Sequence, residues 1–152
     1  MEAIAFDTLG KVYLSNNGNN RVITVANKNT DPEVLEEPVN EPGGLAFGDG
    51  DELYVGAGNG LGGFFPALGN GRILKIDTRT GAKERYAEGL AMANGVVRAD
   101  DGTIYASDDF ARALDRVLPD GTVEACWLKL NSNGMALSTD GKTLFVNRSI
   151  PS

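Results

Sequence analysis

The sequence contains the same pattern four times, and this internal repeat limits the possible folds more than any other feature. The copies begin at residues 2, 43, 94 and 133 and read EAIAFDTLGKVYLSN, GGLAFGDGDELYVGA, NGVVRADDGTIYASD and NGMALSTDGKTLFVN. Each copy has a short apolar run, a polar turn containing Gly or Asp, and a second apolar run containing an aromatic residue. Such repeats indicate an array of similar small modules, because one module cannot bury its apolar faces alone.

Each repeat predicts two short antiparallel strands, since its apolar runs are too short for helices and are bounded by turn residues. Further predicted strands follow the first three repeats: RVITVA and PEVLEE, then RILKID and AKERYAEG, then ALDRVL and TVEACWL. A unit of four antiparallel strands that recurs along a chain is typical of a β-propeller, whose sheets are arranged radially about an axis. An ordinary β-sandwich or barrel is the alternative all-β architecture.

The repeats divide the chain into units at about residues 1–38, 39–89, 90–129 and 130–152, which together form one predicted all-β domain. Three units have four predicted strands and the fourth has two, so the sequence predicts a partial propeller of about three and a half blades. A closed ring needs roughly 4–8 blades. Either further blades or a second copy would complete it, and self-association is one expectation for this chain.

The composition excludes several kinds of chemistry. The 152 residues include no histidine and one cysteine, Cys126, which excludes Ser-His-Asp triads, histidine ligands and a cysteine-based zinc site. The net charge is −7 and the 14 Lys and Arg are scattered, so nucleic acid is not an expected partner. The chain lacks a membrane-spanning apolar run and a recognisable signal peptide. We expect a soluble protein without a membrane partner, and the sequence leaves its compartment open.

The first residue of each repeat is a candidate for a binding site. These positions hold Glu2, Gly43, Asn94 and Asn133, each just before the first strand of its unit. The first strand of a blade lines the central channel, so the four should converge at one end of the axis. A carboxylate and two amides offer the hard oxygen ligands that suit Ca²⁺, or less selectively Mg²⁺ or Mn²⁺, and Gly43 would leave an open position for a ligand. The alternative is turn formation, since Asn-Gly is a common turn dipeptide.

Four further residues are candidates for contact with a small-molecule substrate. Phe64 and Phe65 lie in the glycine-rich segment 56–71, which predicts either a substrate lid or a loop over a blade edge. Asp108 follows a second strand and is expected either at the channel rim or in a solvated loop. Arg98 lies in an inner strand where the other units have apolar residues. It would bind a substrate carboxylate or pair with an acidic neighbour.

With these motifs the sequence resembles the regucalcin/gluconolactonase family of six-bladed propellers, over about the N-terminal half of a family member. EAIAFD resembles the opening Glu-Gly-Pro-Ala-Trp/Phe-Asp, NGVVRADDGTIYASDD resembles Asn-Asp-Val-Val followed by Asp-Gly, and NGMALSTDGKTLFV follows Asn-Gly-x-Ala-x-Ser-x-Asp-Gly-x-x-Leu-Tyr-Val. The resemblance implies that Glu2, Asn94 and Asn133 are three of four ligands to a divalent cation. The fourth, an Asp of the next blade, has no counterpart here, and Gly95 stands where the motif usually has Asp.

Two functions are compatible with the sequence. The resemblance implies a metal-dependent hydrolase of lactonase or gluconolactonase type, in which a cation polarises a lactone carbonyl. Because the fourth ligand is missing, the chain is expected to be incomplete as an enzyme. The alternative is a non-catalytic propeller segment, since SNNGNNRVITV at Ser15–Val25 also resembles the NHL-repeat propellers, which usually bind ligands or proteins.

Overall fold

The computed structural model describes residues 1–59, 70–108, 110 and 113–148. Within these residues the regular structure is β-strand, apart from one turn of 3₁₀-helix at Asn17–Asn19. Phe64 and Phe65 lie outside the described residues, so the substrate lid stays a prediction. In the described part of the chain no helix is long and apolar enough to span a bilayer.

Three antiparallel sheets of four strands follow one another along the chain, and a two-stranded sheet comes after them. The first sheet contains β1 (Ile4–Phe6), β2 (Val12–Asn16), β3 (Arg21–Val25) and β4 (Glu33–Glu36). The second contains β5 (Leu45–Phe47), β6 (Glu52–Ala57), β7 (Gly71–Asp77) and β8 (Lys83–Leu90). The third contains β9 (Val96–Arg98), β10 (Ile104–Asp108), β11 (Ala113–Val117) and β12 (Val123–Leu128). The fourth pairs β13 (Met135–Leu137) with β14 (Leu144–Val146).

The four sheets are the blades of a partial β-propeller. Within each sheet the strands lie side by side in sequence order, with the first strand at one edge. The first strands β1, β5, β9 and β13 contact one another in that order, and the outer strands β8 and β12 of the second and third blades also contact each other. The first strands therefore form the inner wall of the array. The prediction of an all-β partial propeller is confirmed.

The hydrophobic core lies between the blades. One buried cluster joins Tyr13 of the first blade to Leu53 and Val55 of the second, and another joins Tyr54 of the second blade to Ile104 of the third. Because side chains alternate between the two faces of a strand, β6 contributes to both clusters. Full burial of one aliphatic side chain is worth about 1.5–3 kcal/mol, so contact between blades stabilises each sheet.

Two glycines let the second and third blades approach closely near the axis. A Cβ atom on Gly56 would lie 2.1 Å from the carbonyl oxygen of Ala93, and one on Gly44 would lie 2.2 Å from the amide nitrogen of Val96. No side chain fits at either distance. Glycine is therefore required here by the approach of another backbone, and this contact holds β5 and β9 side by side at the inner wall.

Candidate functional site

The residues that begin the repeats occupy the same position in their blades. The amide of Glu2 donates to the carbonyl of Ser15 at 3.1 Å, and the amide of Asn94 donates to the carbonyl of Ser107 at 3.0 Å. In the fourth blade the amide of Asn147 donates to the carbonyl of Gly134 at 3.1 Å, which gives Asn133 the same register. The hydrogen-bond ladder thus continues one step beyond each inner strand, and it places all these residues at one end of the inner wall.

A cavity of about 340 Å³ lies at this end. Its described lining is Glu2, Ala3, Ile4, Gly44, Leu45, Asn94, Gly95, Val96, Val97, Asn133, Gly134 and Met135. The structure therefore brings Glu2, Asn94 and Asn133 together around one cavity, from three different blades. Glu2 and Asn133 are exposed and Asn94 is half-buried, so all three side chains have access to solvent.

The chemistry of this cavity fits a hard cation better than a soft one. Glu2 is the only charged residue in its described lining, and Asn94 and Asn133 contribute amides. The described residues contain no group of three or more His, Cys, Asp or Glu that would hold a metal by itself. A cation here would therefore depend on one carboxylate together with amide oxygens, which is a donor set suited to Ca²⁺ or Mg²⁺.

Two buried serines hold the backbone beside the cavity, and the sequence patterns did not single them out. Ser15 and Ser107 occupy the same repeat position near the end of the second strand, and both are fully buried. The Ser15 hydroxyl accepts the amide of Ala3 at 2.9 Å, and the Ser107 hydroxyl accepts the amide of Gly95 at 2.9 Å. Each bond fixes the residue that follows a candidate ligand. The available signal was their shared position in the repeat.

In the fourth blade Asn147 holds the backbone beside the cavity, with a side-chain amide in place of the serine hydroxyl. Its Oδ1 accepts the amides of Gly134 at 2.9 Å and Asn133 at 3.2 Å. It also accepts the hydroxyl of Ser132 at 3.1 Å. One side-chain oxygen thereby fixes three consecutive residues around Asn133. The position of that candidate ligand is therefore set by the residue that follows the second strand of its own blade.

The prediction that Gly43 leaves an open position for a ligand is wrong. Gly43 is buried, and a Cβ atom there would lie 2.3 Å from Nδ2 of Asn59 and 2.7 Å from the carbonyl oxygen of Ala93. Asn59 occupies this space because its amide joins two blades, donating to the carbonyl of Glu41 at 3.1 Å and accepting the amide of Ala93 at 3.0 Å. A neighbouring side chain therefore fills the place where a ligand was expected.

Asp108 does not lie in a solvated loop, which was one of its two predicted environments. It is the last residue of β10, its side chain is buried, and its Oδ1 accepts the amide of Phe110 at 2.6 Å. It is also not among the described residues that line the cavity. Asp108 directly follows Ser107, whose carbonyl accepts the backbone amide of the cavity residue Asn94. Asp108 therefore lies next to the part of β10 that borders the cavity. Contact between Asp108 and a substrate stays a prediction.

Arg98 lies at the far end of β9 from Asn94 and does not line the cavity. Its Nη2 donates to Oδ2 of Asp49 at 3.0 Å, and its guanidinium lies over the ring of Tyr54, 5.7 Å from the centroid. Burial, reinforced by the charge of Glu52, raises the pKa of Tyr54 to about 12. Of its two predicted roles, the structure shows Arg98 paired with an acidic neighbour. Its contact with a substrate carboxylate stays a prediction.

No protein-family model matches this chain, and no curated protein sequence does. Several solved structures are similar to it. A gluconolactonase from Xanthomonas campestris matches with a TM-score of 0.74 and 15% identity, over 95% of this chain and 52% of its own. A streptogramin B lyase matches with 0.73 and 19%, over 95% and 47%. A chain of a nidogen–laminin complex matches with 0.76 and 16%, over 97% and 56%.

These similarities show that the chain is part of a β-propeller. It spans about half the length of each of the three structures. At such low identity these matches show the fold alone, and the three names describe a gluconolactonase, a lyase and a protein complex. Function does not follow from a fold that carries such different activities. The narrower resemblance to the regucalcin/gluconolactonase family stays a prediction.

Proposed function

We propose that this chain forms the cation-binding part of a metal-dependent hydrolase of the lactonase type. The observation that supports it is the common cavity lined by Glu2, Asn94 and Asn133 from three blades. Ca²⁺ is the proposed ion and Mg²⁺ or Mn²⁺ the alternatives, because the side-chain donors are oxygens. A small-molecule lactone is the proposed substrate class, from the motif resemblance and from the name of one structural neighbour.

The roles proposed for the three residues are binding and orientation. Glu2 supplies the formal negative charge, and Asn94 and Asn133 supply neutral amide oxygens. Ca²⁺ takes about 6–8 oxygen ligands, so three residues leave positions for water and for a substrate oxygen. When bound, such an ion acts as a Lewis acid that polarises a carbonyl oxygen.

Lactone hydrolysis also needs a group that accepts a proton from the attacking water. The family resemblance assigns this role in many members to an Asp of the following blade. We therefore expect cation binding from this chain alone and full activity only from a completed ring. This separation makes ion binding, and not turnover, the direct test of the proposal.

The test is a Ca²⁺ titration of the ¹⁵N-labelled chain, followed by amide chemical shifts. One carboxylate among the side-chain ligands predicts weak binding, with a dissociation constant on the order of 10⁻⁴ to 10⁻³ M. The shifts should concentrate in residues 2–4, 94–97 and 133–135, which border the cavity. Glu2→Gln should weaken binding at least about tenfold, because it removes the formal charge and keeps the side-chain shape.

The matched control is Glu33→Gln, which makes the same change on an exposed residue of the outer strand β4. It should leave the affinity unchanged. If the folded wild-type chain shows no localised shifts with either Ca²⁺ or Mg²⁺ up to about 10 mM, well above the weakest calcium modules, the proposal fails.

A second candidate function is binding without catalysis. Two observations favour it: the NHL-like motif at Ser15–Val25, and the fold shared with a chain of the nidogen–laminin complex at a TM-score of 0.76. The residue that separates the two candidates is Glu2, because a purely binding propeller has no need of an acid at this position. A folded chain that binds no divalent cation would favour the second candidate.

A further inference from the structure

Ser107 makes a side-chain bridge between two blades beside the cavity. Its hydroxyl accepts the amide of Gly95 at 2.9 Å and donates to the carbonyl of Asn133 at 3.1 Å. The first bond lies within the third blade, and the second crosses to the residue that begins the fourth. The side chain is fully buried, so water does not compete for either bond.

The same position in the first blade lacks this bridge. Within the described residues, the Ser15 hydroxyl bonds to the amide of Ala3 in its own blade and reaches no other partner. The corresponding residue of the second blade is Gly56, which has no side chain. The bond between blades is therefore a particular property of Ser107 and not a general property of the repeat.

The three groups joined by this hydroxyl are packed against one another. A Cβ atom on Gly95 would lie 2.6 Å from the carbonyl oxygen of Asn133 and 2.7 Å from Oγ of Ser107. Gly95 directly follows Asn94 in the chain. The two amide candidates of the cavity are thus connected through a short path: Asn94, Gly95, the Ser107 hydroxyl and Asn133.

We infer that Ser107 is a positioning residue for the candidate cation site, because it fixes Asn94 and Asn133 relative to each other across two blades. This inference rests on the proposed function, in which both amides are ligands. Replacing Ser107 by Ala removes the buried hydroxyl that bonds the Gly95 amide and the Asn133 carbonyl, and so loosens the contact between the blades. Residues that orient metal ligands typically change metal affinity by about 10–100-fold when they are removed.

The experiment compares Ser107→Ala, Ser107→Thr and Thr24→Val in the Ca²⁺ titration of the whole chain. Ser107→Ala should bind Ca²⁺ about tenfold more weakly than the wild type. Ser107→Thr keeps the hydroxyl and should bind close to the wild-type value. Thr24→Val removes a buried hydroxyl that donates to the carbonyl of Val12 at 3.0 Å, far from the cavity, and should leave the affinity unchanged.

A second measurement needs no cation. Hydrogen exchange of the Gly95 amide should become faster in Ser107→Ala and stay slow in Ser107→Thr, because this amide loses its acceptor only in the first variant. If Ser107→Ala does not fold, Ser107→Cys replaces it, since the nearly isosteric thiol is only a weak donor and acceptor and should also weaken binding.

The outcomes separate the two proposals. A wild-type chain that binds no divalent cation overturns the proposed function, and this inference with it. A wild-type chain that binds, together with a Ser107→Ala variant that binds equally well, overturns the inference alone. Equal weakening by Thr24→Val and Ser107→Ala also overturns it, because a general loss of stability would then explain the effect.

Discussion

At the scale of single residues, the first position of the repeat holds a different kind of side chain in different blades. The repeat places a carboxylate at Glu2, nothing at Gly43, and amides at Asn94 and Asn133. A calcium site gains affinity with the number of charged ligands it contains. The single carboxylate therefore predicts a weak site that one substitution can strengthen.

We predict that Asn133→Asp increases Ca²⁺ affinity by roughly tenfold, because it adds a second negative charge to a cavity lined by one. The Asn133 bond to Asn147 uses the backbone amide, so the substitution leaves this support in place. The titration used for the wild type measures the change. Asn29→Asp, an exposed substitution in a loop of the first blade, is the charge-matched control. An Asn133→Asp chain with wild-type affinity would contradict the assignment of Asn133 as a ligand.

The sequence predicted the shared register of Glu2, Asn94 and Asn133 because a repeat superposes equivalent positions without any knowledge of packing. It could not predict what fills the space at Gly43. Asn59 reaches that space from the second blade and bonds to Ala93 of the loop before the third, which is a contact between units. The burial of Asp108 was also not predicted, because a polar run such as SDD is typical of solvent-exposed segments.

At the scale of elements, several turns between strands contain an aspartate whose carboxylate accepts backbone amides. The carboxylates of Asp101 and Asp120 accept the backbone amide of the residue two positions on, Thr103 and Thr122, each at 2.9 Å. These bonds hold the pKa of both carboxyls below the usual value. In the same way, backbone bonds chiefly from Thr80 lower the pKa of Asp77, and the hydroxyl of Ser138 leads the causes that lower the pKa of Asp140.

A lowered carboxyl pKa in the folded state adds stability above the unfolded pKa, and this stability is lost as the pH falls through the folded pKa. We therefore predict a smaller decrease in melting temperature below about pH 4 for a variant than for the wild type. This variant replaces four aspartates by Asn: Asp77, Asp101, Asp120 and Asp140. Asn keeps an oxygen acceptor and does not titrate. Circular dichroism melts from neutral to acidic pH measure the effect.

The control for the turns replaces Asp31 and Glu33, exposed acids of the first blade, by their amides. This variant should keep the acid sensitivity of the wild type. The turn prediction would be wrong if both variants lost stability in parallel with the wild type as the pH falls.

The sequence predicted the strands of the three complete blades, including the outer strands β4, β8 and β12, but not the irregular pairing of those outer strands. Apolar runs and turn residues located the inner and the outer strands, because both signals are local. The outermost pairs β3–β4, β7–β8 and β11–β12 all contain a register shift. One outer strand also places Cys126 in the left-handed region at φ 53°, a conformation usually given to Gly or Asn. Such irregularities follow from how edge strands pack and carry no fixed residue signature.

At the scale of the whole molecule, the blades stack through one recurring pair of positions. In the first two blades an aromatic residue of the second strand packs against the last residue of the next inner strand: Tyr13 on Phe47 at 5.1 Å between ring centroids, and Tyr54 beneath Arg98. Tyr105 and Leu137 line one cavity between the third and fourth blades. Phe6 and Phe145 are the equivalent residues at the two ends of this series, and they are 58% and 59% exposed.

The exposed face of the first blade carries Phe6, and the exposed face of the fourth blade carries Phe145. Phe145 is equivalent to the second-strand aromatics Tyr13 and Tyr54, and Phe6 is equivalent to the inner-strand residues that pack against them. We predict that the isolated chain self-associates, with Phe145 of one copy on Phe6 of another, since exposed apolar faces of this kind favour association. Phe6→Asp and Phe145→Asp should each be monomeric in sedimentation experiments. Their mixture should recover a dimer, because each variant retains the face that the other has lost. Leu9→Asp, which changes an exposed apolar residue in a turn, should associate like the wild type. A monomeric wild type, or single variants that associate undiminished, would show that these faces do not bind each other.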